Sequence, residues 1–224
     1  MQISNKAVRF TIVVLASGFL VTSAYGANIL ANSDMEEGPE EAYTAFPLTF
    51  GAWTAVGSSS AGAYYNNSVM HSGTGGVRTG RGDASIWQCA SVVGGQQYDV
   101  SIWAYPLRAG GVEWDATQTA LVDVIWFAAS SATMADYASR ISQDRVIAFH
   151  PTSAQYYTWS QTTGTVTAPE NANCMIIKVG HKSLGGDCVR PDCYFDDVTM
   201  STVPDPATLG LMLLGGSSVL LRRK

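Results

Sequence analysis

Hydrophobic positions along this chain follow two different patterns. Between residues 85 and 200 they come as short runs rich in Val, Ile, Trp and Tyr: Ser85–Val92, Gln97–Tyr105, Ala120–Ala128, Arg145–His150, Gln155–Thr162, Asn173–Gly180 and Cys193–Met200. Gly, Ser, Pro and Asn fill the gaps, as expected of strands separated by turns. Gln97–Tyr105 shows the period of two most clearly. Tyr98, Val100, Ile102 and Ala104 share one face, and Asp99, Ser101, Trp103 and Tyr105 share the other. Only Thr133–Ser142 reads as a helical turn or short helix, in the longest connection. Gly57–Gly82, rich in Gly, Ser and Asn, predicts loop with one or two weak strands. Many short strands with no strand-helix-strand rhythm predict an all-β sandwich.

The two ends follow the second pattern, each with one continuous apolar stretch. Lys6 and Arg9 precede Phe10–Val21, which leads into the small-residue sequence Thr22–Ala27. This is the layout of a secretory signal peptide, with a cut after Gly26. At the other end, Pro204, Asp205 and Pro206 precede the apolar run Ala207–Leu221 and a basic close, Arg222 to Lys224. As a helix that run spans about 22 Å at 1.5 Å per residue. A single transmembrane helix of this length relies on a thinned bilayer or snorkelling basic ends, and the terminal positive charges orient it with everything before Pro204 outside. The expected organisation is a signal peptide over 1–26, an ectodomain over 27–202 and a membrane tail over 203–224.

Setting the ends aside changes the charge. Residues 27–203 hold eight Lys or Arg against seventeen Asp or Glu, hence −9, where the full chain is −5. An acidic ectodomain without a basic run argues against nucleic acid and anionic lipid as partners. The four cysteines, Cys89, Cys174, Cys188 and Cys193, are even in number in an exported chain, which favours disulfides. Three connectivities are possible. The short loop between Cys188 and Cys193 makes them the local pair and leaves Cys89 with Cys174. A zinc site is disfavoured because paired CxxC clamps are lacking.

The tail, with Asp205 in place of Glu, closely resembles the PEP-CTERM sorting signal of bacterial exported proteins. The resemblance implies recognition and cleavage by an exosortase near Pro204–Pro206, and delivery to the cell surface or extracellular matrix. The alternative is a plain anchor whose Pro-Asp-Pro merely starts a helix. The ectodomain resembles carbohydrate-binding-module-like jelly rolls of the galactose-binding superfamily, and its landmarks fall in family order. They are Asn28 through Gly38, Gly51-Ala-Trp53, Ser85-Ile-Trp-Gln88, Gly95 to Trp103, Trp159 with Thr167 to Ala172, and Tyr194-Phe-Asp-Asp-Val198. Asp34 and Met35 depart from the family's usual Gly and Phe.

That resemblance implies a jelly-roll β-sandwich and a structural calcium where the first and last strands meet. Glu36 and Asp196 match the family's two carboxylate ligands, and carbonyls near His71–Gly73 complete the shell. Hard oxygen donors suit Ca²⁺. The bland alternative makes Glu36 a solvated turn residue and Asp196 a capped strand-end carboxylate.

For molecular activity two non-catalytic readings stand. One is a structural component of the envelope or matrix. The other is a lectin-like polysaccharide binder, in which Trp103 and Tyr105 stack sugar while Asp99 and Asp123 take hydroxyls. The alternative to the second is that Trp103 simply covers the second sheet or packs under a loop. His71, His150 and His181 have no nucleophile motif beside them, so an enzyme is not expected, and Arg81-Gly82-Asp83 reads as a glycine turn.

Overall fold

A computed structural model describes residues 26–38, 49–56, 62–80, 84–108, 114, 118–183 and 192–204. Their strands are β1 (Thr49–Phe50), β2 (Trp53–Val56), β3 (Gly62–Asn66), β4 (Gly76–Gly80), β5 (Ala84–Ser91), β6 (Gln97–Pro106), β7 (Gln118–Phe127), β8 (Ser142–Phe149), β9 (Ser160–Thr167), β10 (Cys174–Ser183) and β11 (Asp192–Thr202). They form two antiparallel sheets, ordered β1-β2-β5-β10-β7-β8 and β3-β4-β11-β6-β9. The described domain is thus the expected all-β sandwich. Among the described residues no helix is long and apolar enough to cross a membrane. The leader over 1–25 and the tail from Asp205 onward lie outside the described residues.

The core forms where period-two strands turn their apolar faces toward each other. Tyr98, Val100, Ile102 and Ala104 of β6 are all buried, opposite Val122, Val124 and Trp126 of β7. Tyr98 and Trp126 meet with ring centroids 6.4 Å apart. Asp144 Oδ2 accepts a 2.6 Å bond from the Trp126 indole N–H, so the buried ring keeps its one donor satisfied.

The chain's two ends are sewn together. Ile29 N donates to the Met200 carbonyl at 2.9 Å, Asn28 bridges Ser201, and Asn28 Oδ1 accepts from Met200 N at 3.0 Å. The Gln88 side chain exchanges two hydrogen bonds with the Ala31 backbone, and the Trp53 indole donates to the Asn32 carbonyl at 2.8 Å. Met35, at the departure from the family's aromatic, is fully buried with φ +55°.

One expected element falls elsewhere. Gln155–Thr162 is not a strand: residues 153–155 make a 3₁₀ turn, and the strand is Ser160–Thr167. The aromatic run Tyr156 to Trp159 belongs to the connection, and the true strand is a Thr-rich sheet edge whose polar side chains carry no hydrophobic signal. Thr133–Ser142 contains a 3₁₀ helix at Met134–Ser139.

That connection covers the outer face of the six-stranded sheet, where Ala132 and Met134 pack with Ile125, Phe127, Cys174 and Ile176. Here the expected disulfides are corrected. Cys89, Cys174 and Cys193 are free thiols, and Cys188 lies outside the described residues. Cys89 stands opposite Ile176 and Cys174 opposite Ser91, which makes the two cysteines diagonal neighbours. Diagonal positions hold Cα atoms roughly 7–8 Å apart, beyond the roughly 4.4–6.8 Å span of a disulfide. Burial, and then the adjoining Cys89 thiol, push Cys174 up to about 12. Denatured without reductant, the protein should therefore be alkylated at both Cys89 and Cys174. In native buffer Cys174 should react only as fast as the fold opens, because the thiolate is the nucleophile. A peptide linking the two by mass would refute this.

Candidate functional site

Alternation along β6 places Asp99, Ser101, Trp103 and Tyr105 on the outer face of the five-stranded sheet. Pairing then sets the rows across it. Asp99 lies opposite Thr165 and Ser201, Ser101 opposite Thr163 and Thr199, Trp103 opposite Gln161 and Asp196, and Tyr105 opposite Tyr194. One end of the face is polar, a groove of about 450 Å³ lined by Asp99, Ser101, Thr163, Thr165 and Thr199. Thr165 Oγ1 donates to Asp99 Oδ1 at 2.8 Å, and the Ser101 and Thr199 hydroxyls meet at 2.8 Å.

The other end is aromatic. Tyr105 lies 5.3 Å from Trp159 and 6.1 Å from Tyr194 between ring centroids. The Arg78 guanidinium lies 5.9 Å over the Tyr194 ring and pairs with Asp192. Gly80 makes room for that acid, since a Cβ there would sit 2.1 Å from Asp192 Oδ1. His71 stacks on Trp103 at 3.7 Å and 15°, with Trp159 edge-on at 5.6 Å. One face of the Trp103 indole is therefore covered by a loop side chain, while Tyr105 and Trp159 stand half-buried beside it.

The loop carrying His71 also gathers two acids from opposite ends of the chain. Between Asp196 and Thr199 the β11–β6 register shifts, and Asp197 adopts φ +47°, a bulge that re-aims the side chains on either side. Asp196 is fully buried, and its carboxylate accepts from His71 N at 2.8 Å, Ser72 N at 3.1 Å and Asp197 N at 2.8 Å. Burial pushes its pKa up against those N–H bonds, to about 6. Glu36 accepts from Thr74 N, Thr74 Oγ1 and Gly75 N. Burial raises this carboxyl, but those three bonds outweigh it and leave it below the ordinary value. Gly73, at φ +56°, clears space for it: a Cβ there would sit 1.9 Å from Glu36 Oε1. Tyr65 donates to the Glu36 carbonyl, and its hydroxyl pKa is raised by burial and then by the charges of both Glu36 and Asp196.

The structure thus brings the two expected calcium carboxylates to one five-residue loop. No His, Cys, Asp or Glu cluster of three or more that could hold a metal occurs among the described residues. What favours a hard cation is charge. Among the described residues no Lys or Arg pairs with Asp196, and a buried carboxylate without a countercharge is costly.

Of the expected sugar ligands, Trp103, Tyr105 and Asp99 share this face. Asp123 does not. It sits on β7 in the other sheet, where Arg145 Nε and Nη2 bind its oxygens at 2.9 and 3.2 Å. Period two gives the side of a strand but not the sheet it joins. His71 and Trp159 were missed as members of the site. The sequence signals for Trp159 are its place in an aromatic run and as a landmark of the family resemblance, neither of which assigns it to a site. His71, Ser72 and Asp197 have the composition of a catalytic triad, yet Asp197 binds both His71 Nδ1, at 2.6 Å, and Ser72 Oγ, at 3.0 Å. A nucleophile must instead bond to its base. Of the sorting motif only Pro204 is described, half-buried just after Val203, whose carbonyl accepts from Gln96 Nε2 at 2.8 Å.

No protein-family model matches the chain, and no curated protein matches it in sequence. Solved structures share its fold. The CBM22-1 xylan-binding domain of Paenibacillus barcinonensis Xyn10C has a TM-score of 0.50 at 15% identity, covering 80% of this chain and 97% of that one. The enzymatically active domain of bacteriophage CBA120 tailspike protein 4 has a TM-score of 0.50 at 13% identity over 78% of this chain. The arabinose-bound α-L-arabinofuranosidase MgGH51 has a TM-score of 0.50 at 12% identity over 81%. The matched region spans only 21% and 27% of those last two chains. The likeness is one of fold: a jelly-roll β-sandwich that resembles the CBM22-1 domain among others.

Proposed function

We propose that the domain is a non-catalytic polysaccharide-binding module on an exported chain, with its site on the outer face of the five-stranded sheet. The observation that carries this is that a half-buried Tyr105–Trp159 aromatic pair and a hydroxyl- and carboxylate-lined groove lie on one sheet face, with the Trp103–Gln161 row between them. An apolar sugar face stacks on such rings while its hydroxyls find partners alongside. The xylan named for the Paenibacillus domain makes neutral β-linked glycans the first ligands to screen. A glycan array probed with the 27–203 domain should light up neutral polysaccharides, and binding to none of them would sink the proposal. Glu36 and Asp196, with loop carbonyls at 71–73, would hold a structural calcium that clips the chain ends together and keeps His71 over Trp103.

The proposed address follows from the ends. The leader exports the chain, and an exosortase removes the tail near Pro204, Asp205 and Pro206. Mature protein from the native host should then lack Ala207–Lys224 by intact mass, and Asp205→Ala should accumulate as the uncut membrane form. A mature population ending in Lys224 would leave a simple anchor.

A further inference from the structure

The opposite sheet carries a second polar concavity. Register places Trp87, Lys178, Asp123 and Arg145 in one row across the outer face of β5, β10, β7 and β8. Beside that row lies a cavity of about 170 Å³, lined by Ser85, Leu121, Asp123, Tyr137, Arg145 and Lys178. Gly180 contributes no side chain at the level of Ser85 and Leu121, and a Cβ there would sit 2.3 Å from the Ala84 carbonyl oxygen. Tyr137, 36% exposed, comes from the 3₁₀ helix that overhangs this face.

Two cations, Arg145 and Lys178, line this cavity. Asp123 is occupied by its two bonds from Arg145, which leaves three of the five guanidinium N–H groups for another acceptor. Lys178 lies directly opposite Asp123 yet forms no ion pair within 4 Å among the described residues. Arg140 stacks over the Tyr137 ring at 4.0 Å. Two further acids nearby sit on neutral donors: Asp144 accepts from the Trp126 indole, and Asp136 accepts from Thr133 N and Oγ1. Three carboxylates match three cations in number here, so what marks the spot is placement: among the described residues Lys178 has no carboxylate within 4 Å and Arg145 keeps N–H groups to spare, on a domain of net charge −9. A half-buried, unpaired ammonium beside a prearranged guanidinium is a receptor for an anion, and charge-assisted bonds to carboxylate are the strong ones. The cavity is small, polar and walled by one exposed aromatic ring, which suits a single sugar unit bearing its own carboxylate.

We propose that this pocket binds a uronate residue of an acidic saccharide, with the sugar carboxylate on Lys178 and Arg145 and its ring against Tyr137. The site is distinct from the neutral-glycan face and stands or falls separately. The test is calorimetric titration of the full chain with an oligogalacturonate and with its methyl ester, which lacks the charge and adds one methyl group per unit. The acid form should bind at least tenfold tighter than the ester. Lys178→Gln should erase that preference, Lys178→Arg should keep it, and Trp159→Ala should leave it unchanged. Equal binding of acid and ester, or a preference that survives in Lys178→Gln, overturns the proposal. Loss of preference in Trp159→Ala would place acid binding on the other sheet and overturn it as well.

Discussion

In chelator, the 27–203 domain should gain stability as the pH falls from 7 toward 4.5, and Asp196→Asn should flatten most of that gain. The cause is the buried carboxyl. Its native pKa of about 6 lies above the unfolded value near 3.8, so the folded state takes up the proton first. Stabilisation from protonation is therefore complete below the unfolded value and is lost as the pH rises through 6. Two pKa units at 1.36 kcal/mol each put the full difference at about 3 kcal/mol. Glu36 works in the opposite sense, since its lowered pKa gives stability that is present above its unfolded value and lost below it. The window between pH 4.5 and 6 thus reports mainly on Asp196. Calcium should invert the trend, because a cation favours the charged form and competes with the proton. At a hundredfold excess over Kd it should add about 2.7 kcal/mol. Urea midpoints measured with and without calcium check both arms. An identical pH slope in the wild type and Asp196→Asn would refute the buried-acid account, and a calcium response retained in the double variant Glu36→Gln, Asp196→Asn would remove the cation from this site.

Glycan affinity should fall about thirtyfold in Trp159→Ala, the cost of a hot-spot aromatic at about 2 kcal/mol. Tyr105→Ala should lose less, since Tyr194 backs the same spot. Trp103→Ala is expected to cost stability as well as affinity, because it removes the ring on which His71 rests and loosens the loop holding Glu36 and Asp196. Asp123→Asn should leave neutral-glycan binding unchanged, because Asp123 faces away from this groove on the other sheet. Affinity electrophoresis against the strongest neutral polysaccharide from the array separates these outcomes. Wild-type retention of Trp159→Ala would move the site away from the aromatic end, and loss in Asp123→Asn would place it on the six-stranded sheet.

By itself the sequence determined the periodicities. The split of β6 into a buried face, Tyr98 to Ala104, and an outer face, Asp99 to Tyr105, was legible because alternation along one strand is a local property. The juxtaposition of Glu36 and Asp196 on one loop was legible only through the family resemblance, since no spacing relates residues so far apart. What tertiary structure alone decided was pairing. It put Asp123 in the other sheet, set Cys89 diagonal to Cys174, laid His71 over Trp103 and moved the ninth strand from its aromatic flank to a polar edge. Each of these depends on register between distant strands and on loops folding over a sheet. A chain fixes which side of a strand a residue takes through two backbone dihedrals, whereas its neighbours across the sheet follow from the packing of the whole core.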